Sequence, residues 1–400
     1  MEILQYISHI LHYAISFAII ISIIVFIHEF GHFFVARRCG VKVDEFSIGF
    51  GPEICGWNDK HGTRWKISIL PLGGFVKMHG DAGEASTPDN EKLDSMSAEE
   101  RKIAFYYKKL WQKTLIVLAG PFANFVLSIF IFSLIFMIFG KLQLDAPIVN
   151  DVVKDGAAAK IGITKNDVIV ALDGKDVNNF SEIPEIIKAS SHQTMEIKYK
   201  RGENVITSQI TPQSEDVKDE EGKSVSIKRI GIESFPIAVN ENAKSLSFVD
   251  AVNEAVTQVY KQCAEMLHGL GQIFAGTQSA KNLGGPVKIM EFSGHSTSKI
   301  SDAISCEISH GENCGKLARD GIIISLISIT FISTMLGLVN LFPIPLLDGG
   351  HILFYFIEAV TRRKVAEKVQ EWVFRAGFAF LVCLMLYVTY NDLLSIVHKM

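Results

Sequence analysis

Three long stretches of this chain contain no Asp, Glu, Lys or Arg: Ile10–Ile27, Thr114–Phe139 and Gly321–Leu347. Each is long enough, at about 1.5 Å of helical rise per residue, to cross a hydrocarbon core about 30 Å thick. A fourth candidate, Ala376–Tyr390, is shorter and ends at Asn391-Asp392; it reaches spanning length only with Trp372–Phe374 or Leu393–Val397. The mean hydropathy of +0.26 fits a membrane protein. A net charge of −4 gives no ground for nucleic-acid binding. The first stretch is expected to be retained rather than cleaved, because no Lys or Arg precedes it and no small-x-small site follows it.

Basic residues orient the spans. Met1–Ile27 has no Lys or Arg, whereas Phe33–Lys113 has thirteen, including Arg37-Arg38 and Lys108-Lys109. Arg362-Arg363-Lys364 and Lys368 follow the third stretch, and only Lys399 lies in the tail. Four spans with both termini outside satisfy this pattern and place Gly140–Asp320 on the non-cytoplasmic side.

Between the spans, Val43–Val76 is expected to be β structure, with Phe46, Ile48 and Phe50 alternating and Gly and Pro breaking any helical period. Asp81–Glu100 is expected as a polar loop, and Arg101–Lys113 as a basic aromatic helix on the membrane surface or the basic flank of the second span. Ile148–Thr211 predicts a compact αβ domain: strands at Ile148–Val153 and Val168–Leu172, helices at Ala157–Ile161 and Glu182–Lys188, and a hairpin of Met195–Tyr199 with Val205–Ile210. Its Gly-Ala-Ala-Ala-Lys-Ile-Gly-Ile, Asp-Val-Ile and Asp-Gly order resembles the bacterial form of PDZ domain, which binds extended peptide ends at a sheet edge. No Gly-Leu-Gly-Phe carboxylate loop precedes Ile148. Glu215–Glu221 is expected as a solvated linker and Phe248–Ala275 as a packed or membrane-adjacent helix, after which Gly284-Gly285-Pro286 breaks the chain before another helical run. Cys306 and Cys314 fall in the outer region, where either a disulfide or two free thiols is open.

His28-Glu29-Phe30-Gly31-His32 carries the chemistry. On a helix its histidines share a face and can bind one metal ion, and the glutamate can reach a metal-bound water. Two His and a Glu at the end of a span are costly unless something binds them. Catalytic zinc takes three protein ligands and keeps one position for water. Asp348 supplies the third candidate, beyond Pro343 and Pro345, which cannot continue a helix, and beside Gly349-Gly350, which permits a tight turn. Under the topology above, His28, His32 and Asp348 reach the same depth near the cytoplasmic face. Asn124, behind Gly120-Pro121, sits about a third of the way across its span; its amide serves either helix packing or a contact to substrate backbone. Asn340 invites the same two readings.

Taken together, these motifs resemble the site-2 protease family of intramembrane zinc metalloproteases, and within it the bacterial regulator of sigma-E protease group. The resemblance rests on His28–His32, Phe46–Pro52, Pro71–Val76, Ala119–Asn124, Gly284–Val287 and Asn340–Gly350, and runs over nearly the whole chain. It implies an α-helical polytopic membrane protein of about four transmembrane helices, with a membrane-reentrant β-hairpin and an inserted αβ PDZ-like domain. The segments are then 1–144 (first part of the catalytic core, with β region 43–76), 145–212 (PDZ-like), 213–320 (linker and helical outer region) and 321–400 (second part of the core). The resemblance also implies Zn2+ held by His28, His32 and Asp348, Glu29 as general base, and Asn124 and Asn340 holding substrate. Implied partners are the lipid bilayer and single-span membrane proteins of the anti-sigma-factor or remnant-signal-peptide type, with a possible peptide end at the PDZ-like domain and no nucleic acid. The implied location is a bacterial inner membrane, with both termini and the PDZ-like domain periplasmic. Well-known relatives carry two tandem PDZ domains where one is found here. A catalytically silent PDZ scaffold would show a scrambled ligand set, and a metal transporter would show repeated topology.

Overall fold

The computed structural model describes residues 2–397 apart from 82–88, 142, 145–146, 155, 166, 181, 203, 219–223, 235–236, 239–243, 276–284, 309–313 and 364. The chain forms two compact units, 1–135 with 248–400, and 136–247. The first begins with α1 (Glu2–Arg38), whose last turn carries Arg37 and Arg38, placing positive charge at the helix C-terminus. Two long strands follow, β1 (Val43–Asn58) and β2 (Arg64–Met78), as the alternation at Phe46–Phe50 predicts. Both strands bend, so Phe46 stands beside Val76 on one side and Trp65 on the other. The bend in β1 falls at Gly49 and Gly51, both at positive φ, and Pro52. Phe33, Phe46 and Trp65 stack into the core beneath the sheet. Ile54, Trp57, Ile69 and Leu70 are exposed at 54–66 %, an apolar rim that suits contact with lipid.

Two expectations fail in the next segment. The polar Asp81–Glu100 stretch contains α2 (Asn90–Ser95) and the start of α3 (Ala98–Ile103), whose Ser97 and Glu100 form a capping box; 82–88 lie outside the described residues. The basic segment Arg101–Lys113 is not one helix: Ala104 and Lys108 are extended and bracket a short 3-10 turn at Phe105–Tyr107. Its remaining residues start α4 (Leu110–Phe139), which contains Pro121.

The second unit takes in the last turn of α4 and continues through β3 (Gln143–Leu144), β4 (Val149–Val152), α5 (Ala157–Lys160), β5 (Val168–Leu172), β6 (Lys175–Asp176), α6 (Glu182–Ala189), β7 (Met195–Arg201) and β8 (Asn204–Ile210). The sheet order is β6-β5-β7-β8. Asp173 and Gly174, both at positive φ, make the turn that joins β5 to β6. Ile169, Leu172, Ile183, Met195, Ile197 and Ile210 are buried in its core, each contributing roughly 1.5–3 kcal/mol. The unit extends past residue 212. Of the acidic run Glu215–Glu221 expected as a linker, the part up to Lys218 belongs to β9 (Gln213–Lys218), which pairs with β10 (Ser224–Arg229), and 219–221 lie outside the described residues. Then β11 (Ile232–Ser234) pairs with β4, and β12 (Ile237–Ala238) with β3. First and last strands are therefore partners, so the chain enters and leaves the unit side by side, the geometry that insertion requires.

Returning to the first unit, α7 (Phe248–Phe274) buries Ala251, Ala255 and Val259. Next come α8 (Pro286–Ile308), α9 (Cys314–Asn340), α10 (Asp348–Thr361) and α11 (Glu367–Val397). Cys306 and Cys314 form a disulfide that ties α8 to α9. Hydroxyl groups bind α8 to its neighbours: Ser16 to Thr297 at 2.7 Å and Ser296 to Ser328 at 2.6 Å. Helix α11 runs through Asn391-Asp392 instead of ending there. The Asp392 carboxylate is fully buried and accepts from the Gly285 and Lys288 amides at 3.3 and 3.2 Å, at the positive end of α8. Among the described residues four helical stretches are long and apolar enough to cross a membrane: Ile10–Arg38, Leu110–Phe139, Ala318–Asn340 and Lys368–Asp392.

The inserted unit depends on one buried charge. Asp167, its side chain 1 % exposed, accepts from Arg201 Nε at 2.8 Å and Nη2 at 2.6 Å and from the Thr164 amide at 2.8 Å. Burial alone would raise the Asp167 pKa; the Arg201 and Thr164 bonds outweigh it and hold the carboxyl below its ordinary 3.8. Its stabilising contribution is therefore present above pH 3.8 and is lost as pH falls through the lower folded-state value. Arg201→Ala should destabilise the unit, by less than breaking a fully buried pair because solvent reaches the Arg201 side chain. Urea-dependent proteolysis of the full chain at neutral pH reads this as a lower midpoint, and Asp167→Asn/Arg201→Ala should recover part of the loss.

Candidate metal centre

His28 and His32 lie one turn apart on α1, both buried, with their rings edge to face and centroids 4.9 Å apart. Across from them stands Asp348, the first residue of α10. The intervening chain cannot be helical: Pro343 and Pro345 lack N–H groups, and Leu346 adopts φ 78° in the left-handed region. Gly349-Gly350 do not make the expected tight turn. They occupy the first turn of α10, where a Cβ at Gly350 would stand 2.6 Å from the Ile344 carbonyl oxygen and one at Gly349 would strike Leu341 and Phe342.

His28 Nε2 is 3.1 Å from Asp348 Oδ2, His32 Nε2 is 3.5 Å from the same oxygen, and the two Nε2 atoms are 3.2 Å apart. In a tetrahedral zinc site with Zn–N of 2.0–2.1 Å, neighbouring ligand atoms are about 3.3 Å apart, so the three donors already have that spacing. Their chemistry points the same way. His32 Nδ1 lies 2.8 Å from the Ile116 carbonyl oxygen and can only donate there, which leaves Nε2 of the neutral ring with its lone pair. Asp348 Oδ2 is buried without a hydrogen-bond partner. Lone pairs converging in a buried site cost free energy unless a cation or proton lies between them. Among the described residues this is the one group of His, Cys, Asp or Glu whose ligand atoms converge in this way.

The site opens on a cavity of about 540 Å³ lined by Glu29, Asn340, His351, Tyr355 and Asp81, and by Gly73–Val76 of β2. Glu29 and Asn340 both line this cavity, with Asn340 Nδ2 3.3 Å from His28 Nε2. Asn124 is not on the cavity. It is fully buried, with Nδ2 3.2 Å from His28 Nδ1, so the expected contact to substrate backbone does not fit its position. Asp81, His351 and Tyr355 escaped the sequence reading. Burial pushes the Asp81 carboxyl up to about 7, and no local pattern at the end of β2 signals that burial.

Comparison with known proteins now decides the family. Residues 16–384 match peptidase family M50. The chain belongs to that family. It is 32 % identical over 388 residues to "Metalloprotease MmpA" of Caulobacter vibrioides, covering 95 % of this chain and 94 % of the relative. It is 35 % identical over 378 residues to a protein of Rhizobium meliloti and 36 % identical over 380 residues to one of Mesorhizobium japonicum, both named "Putative zinc metalloprotease"; these alignments cover 94 % and 95 % of this chain, and 95 % and 98 % of the relatives. A crystal structure of the PDZ domain of an SdrC-like protein from Listeria monocytogenes is similar over 23 % of this chain and 90 % of that one, at 26 % identity and a TM-score of 0.18. As a member of family M50, the chain is a multi-pass membrane zinc metalloprotease, and the three converging donors fit that metal.

Gly120 of α4 faces the His32 ring so closely that a Cβ there would overlap it. Gly120→Ala should push the ring off the Ile116 carbonyl and weaken zinc binding about 10-fold or more, read by competition with a chromophoric chelator. Gly269→Ala, where a Cβ meets open space, should leave the affinity unchanged.

Proposed function

We propose that this M50 metalloprotease is an intramembrane endopeptidase that holds zinc with His28, His32 and Asp348 and cuts transmembrane segments of single-span membrane proteins. The single observation that carries the reading is the triangle of lone-pair donors, with edges of 3.1, 3.2 and 3.5 Å, built by two apolar stretches from opposite ends of the chain. Bound zinc supplies Lewis acidity, activating water and polarising a peptide carbonyl. Glu29, next to His28 and facing the same cavity, is the general base: it takes a proton from the attacking water and passes it to the leaving amine. A helical substrate hides its carbonyls in its own hydrogen bonds and must unwind before attack. The extended β2 backbone at Gly73–Val76 lines the cavity beside Glu29 and suits the pairing of such an unwound strand. Asn340 lies within reach of the same substrate.

The density of Lys and Arg between the first two spans supports a site near the cytoplasmic face with the inserted unit outside, which corresponds to a periplasmic insert in a bacterial inner membrane. A remnant signal peptide or an anti-sigma factor offers the single apolar segment such a site requires, and an extended peptide end is the ligand class suited to the PDZ-like insert. A silent scaffold would have no use for a complete donor set with a neighbouring glutamate.

The test is cleavage of a reporter with one helix-destabilised transmembrane segment by the full chain in vesicles. Glu29→Gln should retain zinc and lose on the order of 10²–10⁴ in rate. His28→Ala and Asp348→Ala should lose zinc and activity together. Equal cleavage by native protein and Glu29→Gln removes Glu29 as the base. Zinc-loaded native protein that cuts none of several such reporters overturns the intramembrane reading.

A further inference from the structure

The environment of Asn124 fixes how one of the proposed zinc ligands is held. Its Nδ2 is placed 3.2 Å from His28 Nδ1, while its Oδ1 is buried without a hydrogen-bond partner. The oxygen and nitrogen of a side-chain amide are distinguished by their bonding rather than their shape. His28 Nε2 faces Asp348 and His32, so if Nε2 gives its lone pair to zinc, the ring proton sits on Nδ1 and needs an acceptor. Half a turn of the Asn124 amide brings Oδ1 to that proton and gives the orphaned oxygen a donor. We propose that Asn124 is a positioning residue for His28: its amide oxygen accepts Nδ1–H and fixes the tautomer that leaves Nε2 free for metal. The inference rests on His28 being a zinc ligand.

The same helix then serves both imidazoles, since His32 Nδ1 donates to the α4 carbonyl of Ile116. Several hydroxyls hold Asn124 in place. Its backbone carbonyl accepts from Ser333 Oγ at 2.9 Å, Ser128 Oγ lies 3.1 Å from it, and Thr334 Oγ1 donates to Ser128 Oγ at 3.0 Å. Gly337, one turn beyond Ser333 on α9, lets this helix close on α4: a Cβ there would stand 3.3 Å from Asn124 Cβ. A residue 0 % exposed and outside the cavity lining is placed to orient a ligand and not to grip substrate.

The experiment compares Asn124→Asp, which keeps an acceptor at the same position, with Asn124→Leu, which keeps the bulk and removes it, in the full chain in detergent. Chelator competition should show zinc affinity about 10–100-fold lower in Asn124→Leu and close to native in Asn124→Asp. The visible spectrum of the cobalt-substituted protein should shift in Asn124→Leu alone. Native affinity and an unchanged cobalt spectrum in Asn124→Leu would overturn the proposal. His28→Ala separates the two layers: if it binds zinc as tightly as native protein, the ligand assignment itself fails. Should Asn124→Leu not fold, nitrogen NMR of the native zinc-loaded protein gives the answer without a variant. A proton on His28 Nδ1 is the expected result, and a proton on Nε2 overturns the proposal.

Discussion

Helices α1 and α4 approach so closely that the Ala119 carbonyl oxygen fills the space a side chain at Gly31 would need, and the His32 ring fills that of Gly120. Glycine within a helix costs about 1 kcal/mol relative to alanine, and here each helix carries one at the contact. What the approach secures is direction. With the helices this near, His32 Nδ1 meets the Ile116 carbonyl at 2.8 Å and His28 Nδ1 meets the Asn124 side chain at 3.2 Å. Two imidazoles that would otherwise rotate about χ1 and χ2 are locked with Nε2 facing one point. A wider separation would leave the same His-Glu-x-x-His sequence on a helix with its rings unfixed.

The third donor depends on a different device. Prolines at 343 and 345 stop α9 before the chain reaches Asp348, and Leu346 takes a left-handed conformation that costs roughly 1–2 kcal/mol in an L-residue. Strain of that size persists where the surrounding structure over-determines it. Here the first turn of α10 packs Gly349 and Gly350 onto the Leu341–Ile344 backbone, leaving the Asp348 carboxylate turned toward α1. The broken connection and the glycine pair act together, and removing either would move the one acidic donor.

The spans, the β1–β2 region, the strand and helix order of Ile148–Ile210 and the donor triad were legible because each is written in a local pattern: an uncharged run, a period of two, a Gly-Pro break, a His pair at helical spacing. What was not legible depends on partners remote in sequence. Glu215–Lys218 has the composition of a linker, and only its pairing with Ser224–Ile227 makes it a strand. Asn391-Asp392 looked like the end of a helix because a buried carboxylate is costly; its compensation, the N-terminus of α8, begins more than a hundred residues earlier. The choice between packing and substrate contact at Asn124 could not be settled from spacing, since both predict an amide at that depth. Its place beside His28 and outside the cavity lining supports the positioning role proposed above.

The hydroxyls buried among the core helices show why the converging lone pairs of the metal centre are informative. Ser296 pairs with Ser328, Ser16 with Thr297, Thr334 with Ser128, and Ser333 with the Asn124 carbonyl, at 2.6–3.0 Å. An apolar setting makes an unmatched polar atom expensive, and these contacts meet that demand with short bonds between helices. Against that background, Asp348 Oδ2 and Asn124 Oδ1, both buried without hydrogen-bond partners, stand on opposite sides of one histidine. A single change accounts for both. A cation accepting the His28 Nε2 lone pair gives Asp348 a partner and places the ring proton on Nδ1, where the Asn124 oxygen can take it. One metal ion held there would therefore satisfy a carboxylate directly and an amide at second hand, with His28 carrying the effect between them.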